Sequence, residues 1–273
     1  MPLLLFKPWP GGQDPREDGV RSARQAGFDG LQGTPPTAPE QRLLLHEQLQ
    51  EADLAFIGDL ATASDPAVSP NQHLLELRTA IECSLDLSPL LINARTGSDA
   101  WPLPLQIDFF EKILAMESEY GIEIAVETSR GRPFFHPWIT REIVHQLPEL
   151  KLACNFAQWC CTTGRLVMED DPRLLRDLAR HGRHLHATVG FQDGPQVPDP
   201  RVPARADPLE KHLRWWETVW TAQSHRGLET ITMQPGFQAD NRFPQVDADE
   251  VNRWMARLLR ARFADWQQNI PAR

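Results

Sequence analysis

The chain has 273 residues, 41% hydrophobic and 24% charged, with a formal net charge of −9. That is a globular composition and excludes a disordered or fibrous chain. The acidic balance argues against a surface built to grip a nucleic-acid backbone, and no apolar run approaches the ~20 residues that cross a bilayer.

The opening apolar run, Leu3 to Phe6, is cut off by Lys7 and Pro8 before it reaches signal-peptide length. Cys83, Cys154, Cys160 and Cys161 match neither a zinc knuckle nor a disulfide framework, so a cytoplasmic protein with reduced thiols is expected. The apolar spacing then predicts a regular alternation. Leu3–Phe6 is a strand, Asp14–Ala26 a helix with Pro15 in its first turn, and Phe28–Leu31 a second strand. Helix Glu40–Glu51 leads to strand Leu54–Ile57, ending at Gly58. Ser69-Pro70 caps a helix running to Leu85, followed by strand Leu90–Asn93. Helix Pro104–Tyr120 and strand Ile122–Val126 come next, then helix Thr140–Gln146 and strand Leu150–Cys154. Helix Pro172–Arg180, strand His184–Ala187, helix Ala206–His225, strand Leu228–Met233 and helix Asp247–Phe263 complete the pattern.

Eight strands alternating with eight helices predict parallel βαβ units, and eight such units in one domain over 1–273 predict a (β/α)8 TIM barrel. The rival, an open doubly wound sheet, would be expected to show a glycine-rich phosphate turn after an early strand, and the chain has none. In such barrels the chemistry sits at the carboxyl ends of the strands. There the sequence offers Lys7 and Trp9, Gln32, Asn93 and Arg95, Glu127 with Arg130 and Arg132, Asn155 and Gln158, and His184 and His186. Strand eight runs into Gln234-Pro235-Gly236-Phe237.

His184 and His186, two apart, share one face of their strand. They are either metal ligands facing Glu127 or hydrogen-bonded lining residues. Glu127 follows the apolar run Ile124-Ala125-Val126, so its carboxylate needs a metal, an arginine or hydrogen-bond donors. It reads as a metal ligand or general base, or as an ion-pair partner of Arg95, Arg130 or Arg132. The proline-rich stretch from Gly190 to Pro208 reads as an ordered lid or binding loop, or an oligomer contact. Trp215, Trp216 and Trp220 on the following helix read as core or subunit contacts, which leaves a homodimer open.

Several segments together resemble the xylose isomerase-like TIM barrels of the sugar phosphate isomerase/epimerase group. They are Ala26-Gly27-Phe28-Asp29-Gly30-Leu31, Ile92 to Asp99, Glu127-Thr128 with Arg130-Gly131-Arg132, Asn155 to Trp159, His184-Leu185-His186 and Gly194 to Pro200. The resemblance implies a divalent metal (Zn, Mn or Mg) held by a Glu after strand five, an Asp after strand six, a His on strand seven and a Glu after strand eight. Matched by position, Glu127 and His186 are retained, whereas Asn155 and Gly236 stand at the other two. Gln158 and Arg95 replace two further histidines, and Gln32 an acid. With one carboxylate left of about three, metal binding is expected to be weak or absent.

Two functions follow. One is an isomerase or epimerase in which Glu127 is the base and His186 or His184 the electrophilic partner. The other is a pseudoenzyme that binds a ligand or partner. In either, Lys7, Trp9, Asn93, Arg95, Arg130, Asn155 and Gln158 are the candidate binding residues for a small sugar-like or anionic molecule. The basic ones among them suit an anion. A multi-metal nuclease, known among barrels of this kind, is disfavoured by the missing ligands and the net charge.

Overall fold

A computed structural model of the chain describes residues 1–9 and 19–269. Eight parallel strands close into a barrel in chain order, β1 beside β8. They are β1 Leu3–Trp9, β2 Gly30–Gly33, β3 Ala55–Ala61, β4 Ile92–Arg95, β5 Ile124–Glu127, β6 Lys151–Cys154, β7 Gly182–His186 and β8 Ile231–Gln234. Around them lie α1 Gly19–Gln25, α2 Pro39–Glu51, α3 Pro70–Leu85, α4 Leu103–Tyr120, α5 Pro137–Gln146, α6 Phe156–Thr163, α7 Pro172–Ala179, α8 Ala206–His225 and α9 Ala248–Asn269. This is the expected (β/α)8 barrel. The predicted start of the first helix, with Pro15, falls outside the described residues.

The strands are apolar on both faces because both are covered. Phe6, Ile57, Leu91, Ala125 and Ala153 fill the barrel interior, and a larger cluster packs strands against helices. Trp215, Trp216 and Trp220 are buried in that outer core, so the chain itself uses them. Helices α2, α3, α5 and α7 open on proline, and Ser69 Oγ accepts from Gln72 N, as the capping pattern predicts. All four cysteines are free. No helix among the described residues is long and apolar enough to cross a membrane.

Two departures from the predicted elements matter for the site. Strand β3 does not stop at Gly58 but continues to Ala61. Gly58 faces α3, where an added Cβ would come within 2.7 Å of Ser84 Oγ, so the glycine serves close helix–strand packing and does not break the strand. Helix α6, absent from the predicted pattern, follows β6 directly. It buries Phe156, Ala157, Trp159 and Cys160 and ends on left-handed Gly164.

Candidate functional site

Alternation along the strands selects what enters the barrel. Ile57 and Ala125 point inward, so Asp59 on β3 and Glu127 on β5 do too, and both line one cavity of about 210 Å³ at the carboxyl ends of the strands. Arg95, Asn155, Gln158, His186, Thr188, Gln196, Gln234, Gly236 and Gln238 also line it. Glu127 lies at its centre of contacts. Asn93 Nδ2 donates to Oε2 at 3.1 Å and Asn155 Nδ2 to Oε1 at 3.1 Å. The Arg95 guanidinium and His186 Nε2 lie 3.5 and 3.7 Å from Oε2. Asn155 is itself fixed by donation from its backbone N–H to Thr128 Oγ1 at 2.7 Å. Of the three arginines that could pair with Glu127, the structure therefore brings up Arg95. Arg132 donates instead to the carbonyls of Thr62, Ala63 and Gly97, and Arg130 to Gln158 Oε1 and Cys161 Sγ.

Asp59 is the residue that sequence reasoning missed. Asn93 Nδ2 donates to Asp59 Oδ1 at 2.8 Å, and Arg95 Nη2 reaches Oδ2 at 3.4 Å. The signal was an acid two residues after inward Ile57, hidden by ending the strand at Gly58. His184 and His186 both point inward, but at different depths. His186 reaches the cavity, whereas His184 is fully buried beside Phe6 and shares a 2.9 Å hydrogen bond with Thr232 Oγ1. Lys7 and Trp9 alternate the other way from Phe6 and leave the barrel. Lys7 Nζ donates to Ser22 Oγ at 2.7 Å and pairs with Asp249 at 3.4 Å, while Trp9 joins the outer core. Gln32 is buried on β2 with both amide atoms unpaired.

Solved structures share this architecture throughout. A xylose isomerase-like TIM barrel from Mycobacterium smegmatis, in complex with magnesium, has a TM-score of 0.64 at 11% identity, covering 95% of this chain and 97% of that one. A sugar phosphate isomerase/epimerase from Parabacteroides distasonis gives 0.61 at 11%, covering 95% and 94%. The probable 3-DHS dehydratase of Bacillus anthracis gives 0.63 at 12%, covering 95% and 99%. The protein shares the (β/α)8 barrel fold of these structures. No protein-family model and no curated protein matches the sequence. Identities this low speak for the fold and not for the chemistry.

The chemistry has to come from the charges in the mouth. Burial works against the Glu127 anion, but His186, Arg95 and the two amide donors outweigh it and hold the carboxyl below its usual range. Asp59 moves the other way: burial, with Glu127 nearby, raises it despite Arg95. Two neighbouring carboxyls pushed apart in this way are a common acid/base arrangement. A dication fits the donor set poorly. Each Glu127 oxygen already accepts an amide N–H, and a guanidinium stands beside one of them. Asn155 turns its NH₂ toward Glu127. At Gly236 an added Cβ would lie 3.2 Å from Thr188 Oγ1, so hydroxyl and amide groups occupy the place where the resemblance expects an acid. No three His, Cys, Asp or Glu side chains among the described residues form a metal-holding group. A divalent ion at Glu127 would have to displace these amide and guanidinium contacts.

The loop after β7 covers one side of the cavity and is tied down. Gln196 Nε2 donates to the Gln238 carbonyl and Gln238 N to Gln196 Oε1, both at 2.9 Å. Arg201 bridges Asp199 and Glu250. At the loop's root, Gly190 N donates to His212 Nε2 at 3.2 Å, so Nδ1 carries the ring proton and donates to the Pro208 carbonyl at 2.8 Å. Burial lowers the His212 pKa from 6.5 to about 4. The folded ring stays neutral where the unfolded ring takes a proton. Stability is therefore full above pH 6.5 and falls as pH drops toward 4, by about 3 kcal/mol from this residue. Urea unfolding across this range checks it: His212→Gln is expected to be less stable at neutral pH and to show a flatter profile.

Proposed function

We propose that the barrel mouth binds a small, uncharged polyhydroxylated molecule and that Glu127 moves a proton between its neighbouring carbons, an isomerase or epimerase reaction run without a tightly held divalent ion. The observation that carries this reading is the buried Glu127 carboxylate lining the cavity beside Asp59, with Arg95 between the two. The lining favours hydroxyl groups over an anion. Arg95 is shared by two carboxylates and Lys7 faces away. Meanwhile Asn155 Oδ1 is buried without a partner, and Gln158, Gln196, Gln234 and Gln238 add amides.

In this reading a carbon next to a carbonyl gives its proton to Glu127. The electron pair passes to the carbonyl oxygen, where Arg95 stabilises the charge. Return of the Glu127 proton to the former carbonyl carbon, with Asp59 passing the proton of the neighbouring hydroxyl to the former carbonyl oxygen so that the new carbonyl forms on the carbon first deprotonated, completes an isomerisation.

The test is a panel of aldoses and ketoses incubated with the protein in deuterium oxide and followed by proton NMR. Deuterium is expected to enter one carbon position of at least one member, with or without EDTA. A second reading, a ligand-binding pseudoenzyme, is favoured by one observation: both Glu127 oxygens are already occupied by amide donors. Calorimetric binding of a sugar with no deuterium uptake by any member would decide for it.

A further inference from the structure

Resting on that reading of the mouth, we infer that Arg95 is the built-in cation of the site, a fixed guanidinium that clamps Asp59 and Glu127 as a pair in place of a divalent metal. The barrel order makes this arrangement natural. Strand β4 lies between β3 and β5, so its inward residues, Asn93 and Arg95, reach a carboxylate on either side. Asn93 Nδ2 donates to Asp59 Oδ1 at 2.8 Å and to Glu127 Oε2 at 3.1 Å. That amide must be oriented NH₂-first, since both of its partners are acceptors. Above it, Arg95 Nη2 lies 3.4 Å from Asp59 Oδ2 and Arg95 Nε 3.5 Å from Glu127 Oε2.

Two carboxylates bridged by one amide repel each other unless a positive charge lies between them. Arg95 is that charge, and it cannot leave by dissociation or deprotonation. A divalent ion approaching Glu127 would meet a guanidinium and two N–H donors. Removal of Arg95 reverses the balance. Asp59 and Glu127 would then face each other uncompensated, with the His186 ring 3.7 Å from Glu127 Oε2, and the site would draw in a divalent ion.

The experiment compares melting temperature and Mn²⁺ calorimetry for the full chain and four variants. The natural protein and Arg95→Lys, which keeps the charge, are expected to melt identically in EDTA and in about 1 mM Mn²⁺, Mg²⁺ or Zn²⁺. Arg95→Ala and Arg95→Gln are expected to melt several degrees lower in EDTA, to recover with Mn²⁺, and to bind it at least about tenfold more tightly than the natural protein. Asp59→Asn combined with Arg95→Gln removes one charge of each sign and should show neither the loss nor the gain. One Mn²⁺, Mg²⁺ or Zn²⁺ held per natural chain at micromolar affinity would overturn the inference. So would Arg95→Gln that ignores all three ions. Neither readout uses a sugar or turnover, so failure here leaves the deuterium experiment standing, and the reverse.

Discussion

Arg132→Met is expected to cost about 3–5 kcal/mol of stability, seen as a lower urea midpoint with an unchanged slope. Arg132 is buried at 8% exposure in the loop after β5. Its Nη1 donates to the Ala63 and Gly97 carbonyls, both at 2.8 Å, and its Nη2 to Thr62 O at 2.7 Å. Those carbonyls belong to the loops after β3 and β4, so one side chain joins three strand-end loops next to the cavity. Burial, with Arg95 nearby, lowers the guanidinium's pKa, so these bonds act against a desolvation cost. Methionine fills much of the space but leaves the buried Thr62 and Gly97 carbonyls and the part-buried Ala63 carbonyl without this donor, each buried one costing ~1–3 kcal/mol before relaxation. Arg132→Lys is expected to recover part of the loss, since an ammonium can reach some but not all three acceptors. An Arg132→Met protein within about 1 kcal/mol of the natural one would show that water replaces these bonds freely.

Glu127→Gln is expected to lower the deuterium-exchange rate by at least about a thousandfold, the upper part of what one positioned base contributes. The folded chain should persist, because glutamine has the same shape. It offers one acceptor where the carboxylate offered two, however, so either Asn93 or Asn155 loses a partner and Arg95 keeps only Asp59. A loss of a few degrees in melting temperature is expected on that account. Glu127→Asp retains the charge but withdraws it by one methylene, and should keep more activity than the glutamine variant. Exchange at the natural rate in Glu127→Gln would remove this residue from the proposed chemistry while leaving the cavity as a binding site.

Periodicity alone was sufficient for the barrel. Eight short apolar runs, each followed by a helical pattern, can be buried on both faces only with a layer of helices outside. Ala206–His225 and the capped start at Pro70 fall where the apolar spacing and the Ser-Pro pair place them. Glu127 and His186 were legible as residues of the barrel mouth for a similar reason: a polar group ending an apolar strand must face something that satisfies it. Depth and direction were not legible. His184 and His186 share a face, yet only the closed barrel puts one in the cavity and the other beneath it against Thr232. Lys7 and Trp9 end their strand near the mouth, but the phase set by Phe6 turns them outward. Asp59 was lost because a glycine that serves packing looks the same, in one dimension, as a glycine that ends a strand. The pairing of Asp59 and Glu127 through Asn93 and Arg95 joins residues far apart in the chain, and only the lateral order of three neighbouring strands brings their charges within reach of one another.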